Sequence, residues 1–196
     1  MAAAAAAAHV LVFPAPGQGH INCMMHFATG LVGAGLHVTF LHTDHSLRRL
    51  GGAAAAGGAD SPRLRFMSIP DGLPDDHPRA VGDIVELLES LRTNGSVPYR
   101  SLLASLVRAG DDGASSGGFP PVTCVVADGS MPFAADVAEE IGVPSLVFRT
   151  ASACSVLAYL SVDRLFELGE VVLFPADGDL DEPVRGVPGM ESFLRR

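Results

Sequence analysis

The stretch His9-Val-Leu-Val-Phe-Pro-Ala-Pro-Gly-Gln-Gly-His20-Ile-Asn22 decides the fold. Its first five residues form a short apolar run with β-branched side chains, as in a strand buried on both faces. Pro14, Pro16, Gly17 and Gly19 end the run. Apolar groups then recur at positions 21, 24, 25, 28, 31 and 32, and Gly35 follows. That spacing predicts a helix over 21–34. A buried strand, a glycine-rich turn and a helix make the opening of a βαβ unit.

Working outward, the pattern repeats. His37–His42 and Leu64–Ile69 read as the second and third strands, Val122–Ala127 as the fourth, and Ser145–Phe148 as the fifth. Helices are predicted over 81–92, 97–108, 131–140 and 151–168, with Asn94-Gly95-Ser96 separating the first two. The Ala/Gly stretch Gly51–Asp60 reads as a flexible insertion, and residues 110–121 as a linker-like loop. The expected division is an alanine tract over 1–8, a Rossmann-like domain over 9–170 and an irregular tail over 171–196. Alternating strands and helices predict an α/β fold with a doubly wound parallel sheet. With the common strand order 3-2-1-4-5, the loops after strands 1 and 4 face each other where the order reverses, and sites lie there.

Composition narrows the chemistry. The chain has 196 residues, 48% apolar and 18% charged, which describes a globular protein. All 13 cationic residues are arginine, and there is no tryptophan. Without lysine there is no Schiff-base chemistry and no P-loop lysine. A net charge of −9 argues against nucleic acid as partner. No run of 18 apolar residues exists, so no membrane span is expected. The N-terminal alanines lack the basic region of a signal peptide. Three scattered cysteines, Cys23, Cys124 and Cys154, fit buried thiols in a reduced, cytoplasmic protein.

The predicted crevice brings together His20, after strand 1, and Asp128, after strand 4. An aspartate that accepts the Nδ1 proton fixes the imidazole tautomer and leaves Nε2 to take a proton from a substrate hydroxyl. Other constellations are weaker. Gly17-x-Gly19-x-x-Asn22, with Asp44 downstream, approaches the dinucleotide fingerprint of an NAD(P)-dependent oxidoreductase, but asparagine replaces the third glycine. His42-Thr-Asp44-His45 lies near His37, yet His37 and His42 point to opposite faces of a strand, and no metal site is expected. Ser130 lacks the Gly-x-Ser-x-Gly elbow of a hydrolase. His26 falls outside the apolar phase of its helix and is expected on the surface.

The opening stretch closely resembles the N-terminus of plant UDP-sugar-dependent glycosyltransferases. So do Val125-Val-Ala-Asp128-Gly-Ser-Met-Pro-Phe-Ala-Ala-Asp-Val-Ala-Glu-Glu-Ile-Gly-Val-Pro144, Ser68-Ile-Pro-Asp-Gly-Leu-Pro74 and Phe148-Arg-Thr-Ala-Ser-Ala-Cys154. Pro183-Val-Arg-Gly-Val-Pro-Gly-Met190 is similar to a segment closing the acceptor pocket in the branch that glucosylates cyanohydrins, iridoids and cytokinins. The resemblance implies the N-terminal, acceptor-binding domain of a GT-B fold. It implies His20 as general base, Asp128 as its partner, and Thr150, Gln18 and Gly19 near the donor sugar and phosphates. Met131 would share in the acceptor pocket. No cofactor is implied beyond the co-substrate, a UDP-sugar such as UDP-glucose, and the partner is a small hydroxylated metabolite. Cys23 departs from the proline common there, a change that the first turn of a helix tolerates. The family's donor motif opens with tryptophan, so the resemblance implies a donor-binding C-terminal half absent from this chain. The isolated chain is expected to transfer little or no sugar, and a non-catalytic small-molecule binder is the remaining alternative.

Overall fold

The computed structural model describes residues 8–49, 61–108, 118–170 and 181–194. The expectations for the alanine run before residue 8, the 51–60 insertion, most of the 110–121 loop, the 171–180 stretch and the two terminal arginines lie outside those residues.

The chain divides into two compact units, Met1–Thr150 and Ala151–Arg196. The cut falls before residues 151–168, which the expected division at residue 170 places in the first domain.

In the first unit the element order is β1 (His9–Phe13), α1 (Gln18–Gly33), β2 (His37–Thr43), α2 (Asp44–Arg49) and β3 (Leu64–Ile69). After a short 3-10 turn come α3 (Ile84–Ser90), a π-helical segment (Leu91–Gly95) and α4 (Ser96–Arg108). β4 (Cys124–Asp128), α5 (Pro132–Ile141) and β5 (Ser145–Phe148) complete it. The sheet order is β3-β2-β1-β4-β5, and every pairing is parallel. β1 is the central strand and is buried along its whole length, which is why it carries no polar–apolar alternation.

Successive β1 side chains serve two cores. Leu11 and Phe13 face Leu87, Leu91, Tyr99 and Leu103 of the α3–α4 rod, with Phe133 and Val137 of α5. Val10 and Val12 face Ile21, Met24 and Ala28 of α1. Covering both faces of a parallel sheet in this way places the carboxyl ends of β1 and β4 side by side.

Two helical expectations change. Asn94-Gly95-Ser96 does not break the chain between helices. The wider π turn carries the helix through these residues, and Leu91, Tyr99 and Leu103, all fully buried, hold the rod on the sheet. Gly95 fits there because a Cβ would lie 2.9 Å from Leu91. In the second unit the single helix expected over 151–168 is two, α6 (Ala153–Leu160) and α7 (Val162–Glu167), interrupted at Ser161. Leu165 of α7 packs with Val184, Val187 and Met190 in a small separate core. The cysteines are all free, but none is buried as expected: Cys23 and Cys124 are half-buried, and Cys154 is exposed at the start of α6.

Candidate functional site

The residues after β1 turn sharply into α1. Gly17 is its N-cap, with no side-chain cap and no acidic residue in the first turn. His20 therefore sits in the first turn of a helix whose leading N–H groups are open. Across the switch point, β4 ends on Asp128, whose side chain is 1% exposed.

The Asp128 carboxylate is held on three sides. Oδ2 accepts from the Ala15 amide at 3.2 Å and from His20 Nδ1 at 2.7 Å, and Oδ1 accepts from the Ser130 amide at 2.9 Å. Because an ionised carboxylate only accepts, the imidazole carries its proton on Nδ1. Thr150 Oγ1, 3.1 Å from the same nitrogen, shares that N–H. Nε2 keeps its lone pair and has no hydrogen-bond partner among the described residues. The His20 side chain is 36% exposed, so this nitrogen is accessible. Three segments distant in sequence, at 20, 128 and 150, thus converge on one ring.

His20 lines a cavity of about 460 Å³ formed by residues 16–87. That volume is in the range of small-molecule sites. Ile21, Val81, Ile84 and Leu87 supply apolar wall, and Thr43, His45, Ser46 and Arg49 supply polar wall. The loop after β3 forms the remaining side through an ion pair between Arg79 and Asp71, both about 95% buried. Arg79 Nε and Nη2 donate to the two Asp71 oxygens at 3.1 and 2.9 Å. Its other donors reach the carbonyls of Leu73, Pro74 and His77. The arginine holds φ at 47°, an unfavourable left-handed backbone that these bonds sustain. The guanidinium holds the Asp71 carboxyl below the usual carboxylate range, against the effect of burial.

The other expected residues fall as follows. Gln18 lines the cavity and bonds Asn22. Gly19 is exposed, with nothing within 4 Å of where a Cβ would be. Met131 is 1% exposed within the sheet core and is not among the cavity's lining residues. His26 is exposed. His42 is buried against Phe40 and Phe66. Asp44 begins α2 rather than ending a strand, a short helix that the sequence reading missed. The Arg79–Asp71 clamp was also missed, since its signal is a loop closure and not a motif. Among the described residues no three histidine, cysteine or acidic side chains gather as a metal site, and no helix is long and apolar enough to cross a membrane.

The five-stranded parallel sheet with helices on both faces matches the N-terminal part of GT-B proteins. The chain superposes on an anthocyanidin 3-O-glucosyltransferase bound to UDP with a TM-score of 0.69 and 21% identity, over 95% of this chain and 38% of that one. It superposes on UGT2 of Phytolacca americana, bound to UDP-2-fluoro-glucose and pterostilbene, with a TM-score of 0.66 and 20% identity, over 95% and 39%. In sequence it is 41% identical to a myricetin 3-O-rhamnoside 1,2-glucosyltransferase of Crocosmia x crocosmiiflora, over 96% of this chain and 37% of the relative. It is 40% identical to a 7-deoxyloganetic acid glucosyltransferase of Catharanthus roseus, over 97% and 38%. No family model matches. By these matches the chain belongs with the plant UDP-glycosyltransferases, as an N-terminal part. It spans under two fifths of the length of either relative.

Proposed function

We propose that this chain supplies the acceptor-binding and proton-accepting half of a glycosyltransferase that moves a sugar from a UDP-sugar, such as UDP-glucose, to a hydroxyl of a small metabolite. The observation that carries this reading is His20. Its Nδ1 is fixed by a buried carboxylate 2.7 Å away, and its other nitrogen is unpartnered beside a small-molecule cavity.

In the step itself, the acceptor oxygen attacks the anomeric carbon. The bond from that carbon to the phosphate oxygen breaks, UDP leaves with the electron pair, and configuration inverts. The acceptor proton passes to His20 Nε2 as the new bond forms. Asp128 holds the tautomer and stabilises the imidazolium. Thr150 Oγ1, already at the ring, and Gln18 and Gly19, at the open start of α1, are the groups assigned to the donor sugar and phosphates.

Fusion of this chain to the C-terminal part of a curated relative, followed by UDP release with hydroxylated acceptors, tests the assignment. His20→Ala is expected to remove turnover, and an unchanged rate overturns the base role. A second reading, acceptor binding without transfer, is favoured by the cavity's lining, which among the described residues runs from 16 to 87. UDP release separates the two.

A further inference from the structure

We propose that the cavity selects acceptors that carry an anionic group, and that Arg49 is the residue that reads it. The inference rests on the cavity being an acceptor site and extends it to the class of acceptor. The chain as a whole repels anions, with 22 acidic residues against 13 basic ones. The cavity reverses that sign. Its charged or titratable lining residues are His20, His45, Arg49, Asp71 and Arg79.

Two of these cancel. Arg79 uses all five guanidinium donors inside its own loop, two on Asp71 and three on backbone carbonyls. It has nothing left to offer a ligand, and Asp71 has no uncompensated charge with which to repel one. The next arginine, Arg48, bonds Asp75 at 2.9 Å. Arg49 has no ion-pair partner among the described residues. It stands in the last turn of α2 as the cavity's uncompensated cation.

His45 lies on the same helix and wall. Burial, with Arg79, Arg49 and Arg48 nearby, keeps it below the usual histidine range, so it serves as a neutral hydrogen-bonding group beside the arginine. Ile21 and Leu87, both buried, add an apolar patch to the same lining. The geometry also separates the two ends of the ligand. His20 follows β1, and Arg49 follows its neighbour β2, with the Asp71–Arg79 loop one strand further. The reacting hydroxyl and the anionic group would therefore be held by helices that follow two adjacent strands. The matching acceptor is a compact apolar body with a hydroxyl at one end and a carboxylate at the other.

The probes are 4-hydroxycinnamate and its methyl ester, which share a shape and differ in charge. Calorimetric titration into the 196-residue chain at low salt is expected to show about tenfold tighter binding of the acid, shrinking as salt rises. Arg49→Gln is expected to bring the acid down to the ester's affinity, and Arg49→Lys to restore part of the preference. Equal affinity of the two probes for the unaltered chain overturns the proposal, and so does a preference that survives Arg49→Gln. The transferase reading fails differently. In the fusion, equal UDP release with acid and ester overturns the anion selection alone. Release with neither, while the acid still binds more tightly, overturns transfer alone.

Discussion

His9 and His20 flank the same central strand and show what separates a structural histidine from a reactive one. His9 opens β1 at the amino end of the sheet and is fully buried. Its Nδ1 lies 2.6 Å from the Pro120 carbonyl and donates to it, and its Nε2 accepts from Thr39 Oγ1 at 2.8 Å. Thr39 in turn accepts from Arg65 Nε, and the Arg65 guanidinium stacks 4.3 Å from the centre of the Phe119 ring. Both nitrogens are used by groups that do not titrate near neutrality. His20, at the carboxyl end, uses one nitrogen on a carboxylate and leaves the other at a cavity. The side chain is the same, and the difference lies in the spare lone pair, the fixed charge behind it and access from solvent.

That contrast breaks if the two histidines respond alike to substitution. The largest expected effect is on turnover. His20→Ala in the fused enzyme should lower the rate of UDP release by about 10²–10⁴, the usual span for a lost general base. Its denaturant midpoint should stay close to that of the parent, because the ring is partly exposed. The converse holds at the other end. His9→Ala should cost about 2–3 kcal/mol in urea unfolding, from a buried void and the unpaired Thr39 and Pro120 groups. Retained stability in that variant would remove the structural role assigned to His9.

Acid sharpens the comparison. Burial lowers His9, and likewise His42, from 6.5 to about 4. The unfolded chain takes up these protons near 6.5, and the folded chain only near 4. Stability is therefore complete above that window and falls as pH drops through it, by at most ~1.4 kcal/mol per pH unit for each histidine. Unfolding free energies at pH 7, 6, 5 and 4 check the slope, and a flat profile contradicts it. The smallest effect concerns His42, 2% exposed, whose ring nitrogens have no partner among the described residues. It lies between Phe40 and Phe66. His42→Phe should raise stability by about 1 kcal/mol and remove one histidine's share of the acid loss.

Much of this was legible in residue order. The buried run at 9–13, the turn behind it and the recurrence of strands gave the parallel sheet, and the sheet order joined His20 to Asp128 across 108 positions. The reading failed where packing outweighed local signals. Asn94-Gly95-Ser96 has the composition of a break, yet Leu91 and Tyr99 bury deeply enough to carry the helix across it. Ser161 interrupts a helix that apolar spacing made continuous. The partners that make His9 structural, at 39 and 120, are joined to it only in three dimensions. The cavity's polar wall had no motif at all. Arg79 is pinned to Asp71 by a backbone turn that no sequence spacing announces.

The Arg79 clamp has a consequence for how such a molecule can be re-engineered. Its guanidinium gathers Asp71, Leu73, Pro74 and His77, all within nine residues, so the shape of this loop is written into the loop itself. It is tied to the rest of the unit by Ser90 Oγ on the Asp71 carbonyl, Arg48 on Asp75, His77 beside Glu86 and Leu73 against the main core. An exchange of residues 71–79 would therefore carry the loop's own fold with it, provided these four attachments are kept. Exchanging it for a loop of different shape would alter what the cavity admits while leaving His20 at the start of α1 and Asp128 at the end of β4 in place.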